Sequence, residues 1–163
     1  MKKRSLAVFI LIVGLITALS APAAAATTRI SGVGTFDSAG VCPGPPAGYG
    51  DFTDFTIVMT GSLEGCWYTK VLTSKETPSG VYLETGEEVF VGRLDGGPQG
   101  TFTTTYRFES KFAPDGSEIH GRCQHPLAAG SGTGGFAGAT GRVDFKDDVV
   151  TGELFYRGHI KLG

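Results

Sequence analysis

Thr101-Phe102-Thr103-Thr104-Thr105-Tyr106-Arg107-Phe108-Glu109-Ser110-Lys111-Phe112 is the run on which the fold turns. Phe102, Thr104, Tyr106, Phe108 and Phe112 share one parity, and Thr101, Thr103, Thr105, Arg107, Glu109 and Lys111 share the other. Successive side chains of a strand point to opposite sides, so this run reads as a strand with one buried and one wet face. After residue 26, no segment keeps the i, i+3, i+4, i+7 apolar pattern of a helix for long enough to form one.

The same rhythm extends outward from this run. Leu154, Tyr156, Gly158, Ile160 and Leu162 alternate with Glu153, Phe155, Arg157, His159 and Lys161, while Phe55, Ile57 and Met59 form a third apolar face. Gly61-Ser62, Pro78-Ser79-Gly80, Asp95-Gly96-Gly97-Pro98, Pro114-Asp115-Gly116 and Asp147-Asp148 supply reversals between the runs. The spacing predicts strands at about 29–36, 52–61, 64–73, 80–91, 99–112, 117–125, 135–146 and 150–162. Asp37–Gly50, with three prolines, and Pro126–Gly134 read as irregular. Eight strands joined by short turns predict an all-β, eight-stranded antiparallel up-and-down barrel, with a two-sheet β-sandwich as the alternative. Closure removes sheet edges, and eight strands leave room for side chains or one small ligand.

Met1-Lys2-Lys3-Arg4 is followed by an uncharged apolar stretch from Leu6 to Leu19 and then by Ser20-Ala21-Pro22-Ala23-Ala24-Ala25-Ala26. This order is that of a secretory signal peptide over residues 1–26, cut near Ala26. Fourteen apolar residues span roughly 21 Å as a helix, short of the roughly 30 Å hydrocarbon layer. Residues 27–163 are then a single exported barrel domain, extracellular or periplasmic, with no membrane attachment after cleavage. The leader takes three of the 14 basic residues and none of the 16 acidic ones, leaving a formal charge of −5. That balance argues against a nucleic-acid partner.

Export places Cys42, Cys66 and Cys123 in an oxidising compartment, where one disulfide and one thiol is the default. In a meander, the start of the third strand and the end of the sixth lie at one rim. This reading favours Cys66–Cys123, with Cys42 free in a loop at the other rim.

Gly132-Thr133-Gly134-Gly135-Phe136-Ala137-Gly138-Ala139-Thr140-Gly141-Arg142-Val143-Asp144-Phe145 resembles the late-strand signature of the allene-oxide-cyclase and dirigent barrel superfamily: Gly-Thr-Gly, an aromatic, then Gly-x-x-Gly. The whole chain is also similar to small secreted bacterial proteins of unknown role. The resemblance implies an eight-stranded barrel with an apolar interior, and an activity that guides cyclisation or coupling of a bound substrate. No site residue is transferred; the cyclase site uses an Asn, and this chain contains none.

Several patterns invite a chemical reading. Gly130-x-Gly132-x-x-Gly135 has dinucleotide-loop spacing but is followed by strand-like sequence rather than a helix. Ser131 lacks the strand-to-helix elbow of a serine nucleophile. His120, Cys123 and His125 cannot chelate together on a strand, because the spacings put His120 opposite the other two. No metal and no cofactor is expected. Glu84 and Glu88 share a face about 13 Å apart, too far for a carboxylate pair, and read most simply as solvated outer-face charges. His120 or Arg122 is the cross-strand mate available to them. Trp67 reads as ordinary core or as a pocket wall.

The functional expectation is a module that binds a small apolar molecule through Trp67, Phe102, Tyr106, Phe108 and Tyr156, with Glu84, His120 and Arg122 as polar groups. Alternatives are a cyclase- or dirigent-like enzyme, which needs ionisable groups inside the barrel, and an interaction protein with a packed core. A homo-oligomer is compatible with each.

Overall fold

A computed structural model describes residues 26–163; the leader segment read from the sequence lies outside the described residues except for Ala26. Nine strands follow one another: β1 (Thr27–Phe36), β2 (Phe55–Gly61), β3 (Leu63–Glu76), β4 (Val81–Leu94), β5 (Gly100–Phe112), β6 (Glu118–Pro126), β7 (Thr133–Gly134), β8 (Thr140–Asp147) and β9 (Leu154–Lys161). Eight of them form a closed antiparallel barrel, in which each pairs with its neighbour in sequence and β6 passes over β7 to β8. The ring closes where β9 pairs with β1, from Thr27↔Lys161 to Gly34↔Leu154. The two-residue β7 is the extra strand, set beside the start of β5. The barrel, rather than the sandwich, is the architecture.

Turn chemistry explains the reversals. Between β4 and β5, Asp95 and Gly96 both have positive φ (48° and 71°), and Gly97 N donates to Leu94 O at 2.8 Å. Two successive left-handed residues match the twist of flanking strands, and Asp-Gly tolerates that geometry.

Strand bounds differ from expectation in two informative places. Residues 52–54 are not strand; Phe52 instead packs on the outside of the barrel. The seventh barrel strand, β8, starts at Thr140 rather than at 135, because residues 135–139 turn and drop Phe136 into the interior.

The interior has two halves. At one rim lie the ends of β4, β6 and β9 and the starts of β1, β3, β5 and β8. There Trp67, Phe90, Phe102, Phe136, Val143 and Ile160 are fully buried and packed together. Ring centroids are 4.9 Å apart for Phe102–Phe136 and 5.0 Å for Phe90–Phe102. Each such side chain contributes roughly 1.5–3 kcal/mol by leaving water. Phe136 thus stoppers this rim. The opposite rim is not filled in this way.

The disulfide differs from the sequence reading. Cys42 is bonded to Cys66, and Cys123 is free and buried. Sharing a rim is not enough for a disulfide; the two side chains must also share a face. Cys66 neighbours the inward Trp67 and therefore points out, beside Tyr68 and Val89, whereas Cys123 points in with the main core. A barrel wall separates them. The segment from Asp37 to Asp54 crosses this outer face as a strap. Its turn is held by the Asp37 carboxylate, which accepts from Val41 N at 2.8 Å and Cys42 N at 2.9 Å. Those bonds hold the Asp37 carboxyl below its ordinary range.

Candidate functional site

β4 brings Tyr82, Glu84, Gly86 and Glu88 to the inner face on one parity. Glu88 pairs across the sheet with Thr69 of β3 and Thr104 of β5. Its carboxylate, 2% exposed, accepts from Thr104 Oγ1 at 2.6 Å and Thr69 Oγ1 at 3.3 Å, and lies 2.5 Å from His125 Nδ1. A carboxylate out of water survives only with partners of this kind. One turn of the ladder towards the open rim, Glu84 accepts from Tyr106 Oη at 2.7 Å and Tyr82 Oη at 2.6 Å. Burial and the Glu84 carboxylate push the Tyr106 hydroxyl well above its ordinary pKa, so it stays protonated as a donor.

Gly86, between the two glutamates, is what admits the Tyr106 ring. A Cβ at Gly86 would overlap Tyr106 Cε1 and the Lys70 carbonyl. Tyr106 then stacks on His125, with centroids 5.7 Å apart and planes 19° off parallel. Phe145 and Trp67 meet the imidazole edge-on at 4.8 Å and 5.7 Å. His125 is held by three rings and one carboxylate, and its Nε2 has no hydrogen-bond partner among the described residues.

Above this floor, the open half of the barrel encloses a cavity of about 180 Å³. Phe36, Phe55, Ile57, Phe108, Phe145 and Leu154 give its apolar wall. Glu84, Glu88, His125, Asp147, Tyr106 and the Cys123 thiol give its polar points, and among the described residues no Lys or Arg lines it. Burial and the nearby carboxylates push the Cys123 thiol far above its usual pKa, which keeps it a thiol and a poor nucleophile. Asp147 meets Glu118 over Gly121, and Ser110 Oγ donates to Glu118 at 2.6 Å. Burial first, then the Glu118 charge, push the Asp147 carboxyl up to about 7.

No protein-family model, curated protein or solved structure matches this chain.

The residues named from the sequence divide. Tyr106, Phe108 and Glu84 line the cavity. Trp67 and Phe102 lie in the packed half, fully buried, and do not border it. Tyr156 is buried between the two, its hydroxyl accepting from Leu63 N at 2.7 Å and donating to Thr60 O at 3.0 Å. His120 and Arg122 are exposed on the outer face of β6; Arg122 pairs with Glu109 at 3.2 Å, so neither reaches Glu84. The outer-face reading of Glu84 and Glu88 is overturned, since both face inward. Ser131 is a turn residue, donating to Ala128 O at 2.8 Å.

His125 and Asp147 are the site residues that sequence reasoning missed. Parity puts His125 on the same face as Cys123, and a disulfide-bonded Cys123 gives no reason to expect that face inside the cavity. With the thiol on the inside, His125 follows it there.

Proposed function

We propose that this chain is an exported barrel that binds one small, largely apolar molecule in the open half of its interior. The observation that carries this reading is the cavity of about 180 Å³ with an aromatic wall and a closed floor. It is slightly larger than the roughly 150 Å³ engineered apolar cavity that takes benzene. The ligand is therefore of about one ring, not a long lipid. The Cys42–Cys66 disulfide supports export, being the bond of an oxidising compartment. A filled interior, as an interaction protein would have, describes only the Phe136 half.

Thermal-shift and native mass-spectrometric screens of the chain from residue 27 with monocyclic compounds test the proposal. A stabilised one-to-one complex is expected, and Phe55→Trp, which fills the space, is expected to abolish it while the fold is retained. Failure of every apolar monocycle to bind would overturn the reading.

A second reading is an enzyme acting on the bound molecule, as the resemblance to cyclase and dirigent barrels implies. It is favoured by the Glu88–His125 pair, whose imidazole lines the cavity and keeps a buried nitrogen without a hydrogen-bond partner among the described residues. Conversion of a bound compound that is lost in His125→Gln, with binding kept, would select it.

A further inference from the structure

We infer that the molecule held in the cavity carries an amine, bound as its ammonium between Glu84, Asp147 and the imidazole of His125. This inference rests on the proposed binding function and names its ligand class.

The first ground is the sign of the polar points. Glu84, Glu88 and Asp147 border one small cavity, whose lining among the described residues includes no Lys or Arg. Glu88 is already satisfied by three hydrogen-bond partners, Thr69, Thr104 and the His125 ring. Glu84 has only two neutral phenols, and Asp147 faces another carboxyl, Glu118. Both are half-buried, and among the described residues neither has an ion-pair partner, so a counter-charge arriving beside them gains more than it would in open water. An anionic ligand would worsen the balance, and a neutral one would leave it unchanged. An ammonium corrects it.

The second ground is independent of charge. His125 is buried, with a side chain 5% exposed, and its Nδ1 is committed to Glu88. With Nδ1–H donating to the carboxylate, Nε2 is an acceptor without a donor. An unmade buried hydrogen bond is costly, and an N–H of the ligand makes it. Tyr106, Phe108 and Phe145 line the same cavity, and aromatic rings are favourable neighbours for a cation. Asp147, raised to about 7, gives up its proton most readily when a cation arrives beside it.

Three near-isosteric probes decide the matter: benzylamine, benzyl alcohol and benzoate, titrated by calorimetry into the chain from residue 27 at low and physiological salt. Benzylamine is expected to bind at least tenfold more tightly than benzyl alcohol, and benzoate not measurably. Glu84→Gln is expected to cost benzylamine tenfold or more while leaving benzyl alcohol within about twofold. Should Glu84→Gln unfold the chain, Asp147→Asn carries the same test. Equal or tighter binding of the alcohol would overturn the amine assignment and leave the apolar-ligand reading standing. Absence of binding by all three, with toluene also failing, would overturn both.

Discussion

Glu88 shows how one residue determines what its neighbours can do. Its carboxylate answers two threonine hydroxyls and an imidazole, all removed from solvent. Glu88→Ala is expected to lose about 2–3 kcal/mol, because it leaves these partners unpaired in addition to removing bonds to a charge. Urea denaturation measures this, with Glu87→Ala, an exposed neighbour of opposite parity, as the control expected to move little. Asp147 makes a pH prediction of the opposite kind to a salt-bridged acid. Its folded pKa is raised, to about 7 from an ordinary 3.8. Between those values the folded chain holds a proton that the unfolded chain has lost, so stability falls as pH rises from about 4 to about 7 and levels beyond. The difference between wild-type and Asp147→Asn melting temperatures should follow that slope; a difference independent of pH would show that the carboxyl is not held up by its surroundings.

At the scale of elements, β4 explains why the barrel was legible in the sequence and the site only partly so. Turn residues and alternation placed the barrel strands, since each of those signals is local. Which parity of β4 faces inward is not a local property. Val81, Leu83, Val89 and Val91 make the other parity the more apolar, and hydropathy alone puts Glu84 and Glu88 outside. The strap reverses this: Phe52 and the Cys42–Cys66 bond cover Val89 and Val91 on the outer face, so apolar side chains are buried there as well. Tethering the strap is therefore an energetic matter. The bond closes a loop of sequence separation 24, and the chain-entropy model gives about 3 kcal/mol for a loop of that order. Cys42→Ser is expected to lose an amount of that size, as is wild type under reductant, whereas Cys123→Ser keeps the reductant-sensitive transition. Equal sensitivity of Cys42→Ser with and without reductant is the signature to look for. At the closed rim, Phe136 is the second device that strand periodicity hid, since it sits in a turn. Phe136→Ala is expected to cost about 3–4 kcal/mol by opening a void against Phe90 and Phe102.

For the whole molecule, the decisive contact is the one between the first strand and the last. Every other barrel pairing joins strands that are neighbours or near neighbours in sequence, and forms at modest loop cost. β1 and β9 meet only after nearly all of the described chain has been laid down, yet they share eight register pairs. β9 also carries Tyr156, which ties Leu63 and Thr60 together, and the fully buried Ile160. Without it, β1 and β8 become open edges and the floor under the cavity loses a wall. A chain ending at Glu153 is therefore expected not to reach the native state: it should self-associate, with Trp67 accessible to a soluble quencher. Adding a peptide of residues 154–163 should restore Trp67 protection and a single species, because the gap it enters offers backbone partners on both sides. A truncated chain that stays monomeric with Trp67 shielded would mean that seven strands suffice, and that closure serves the cavity rather than the fold.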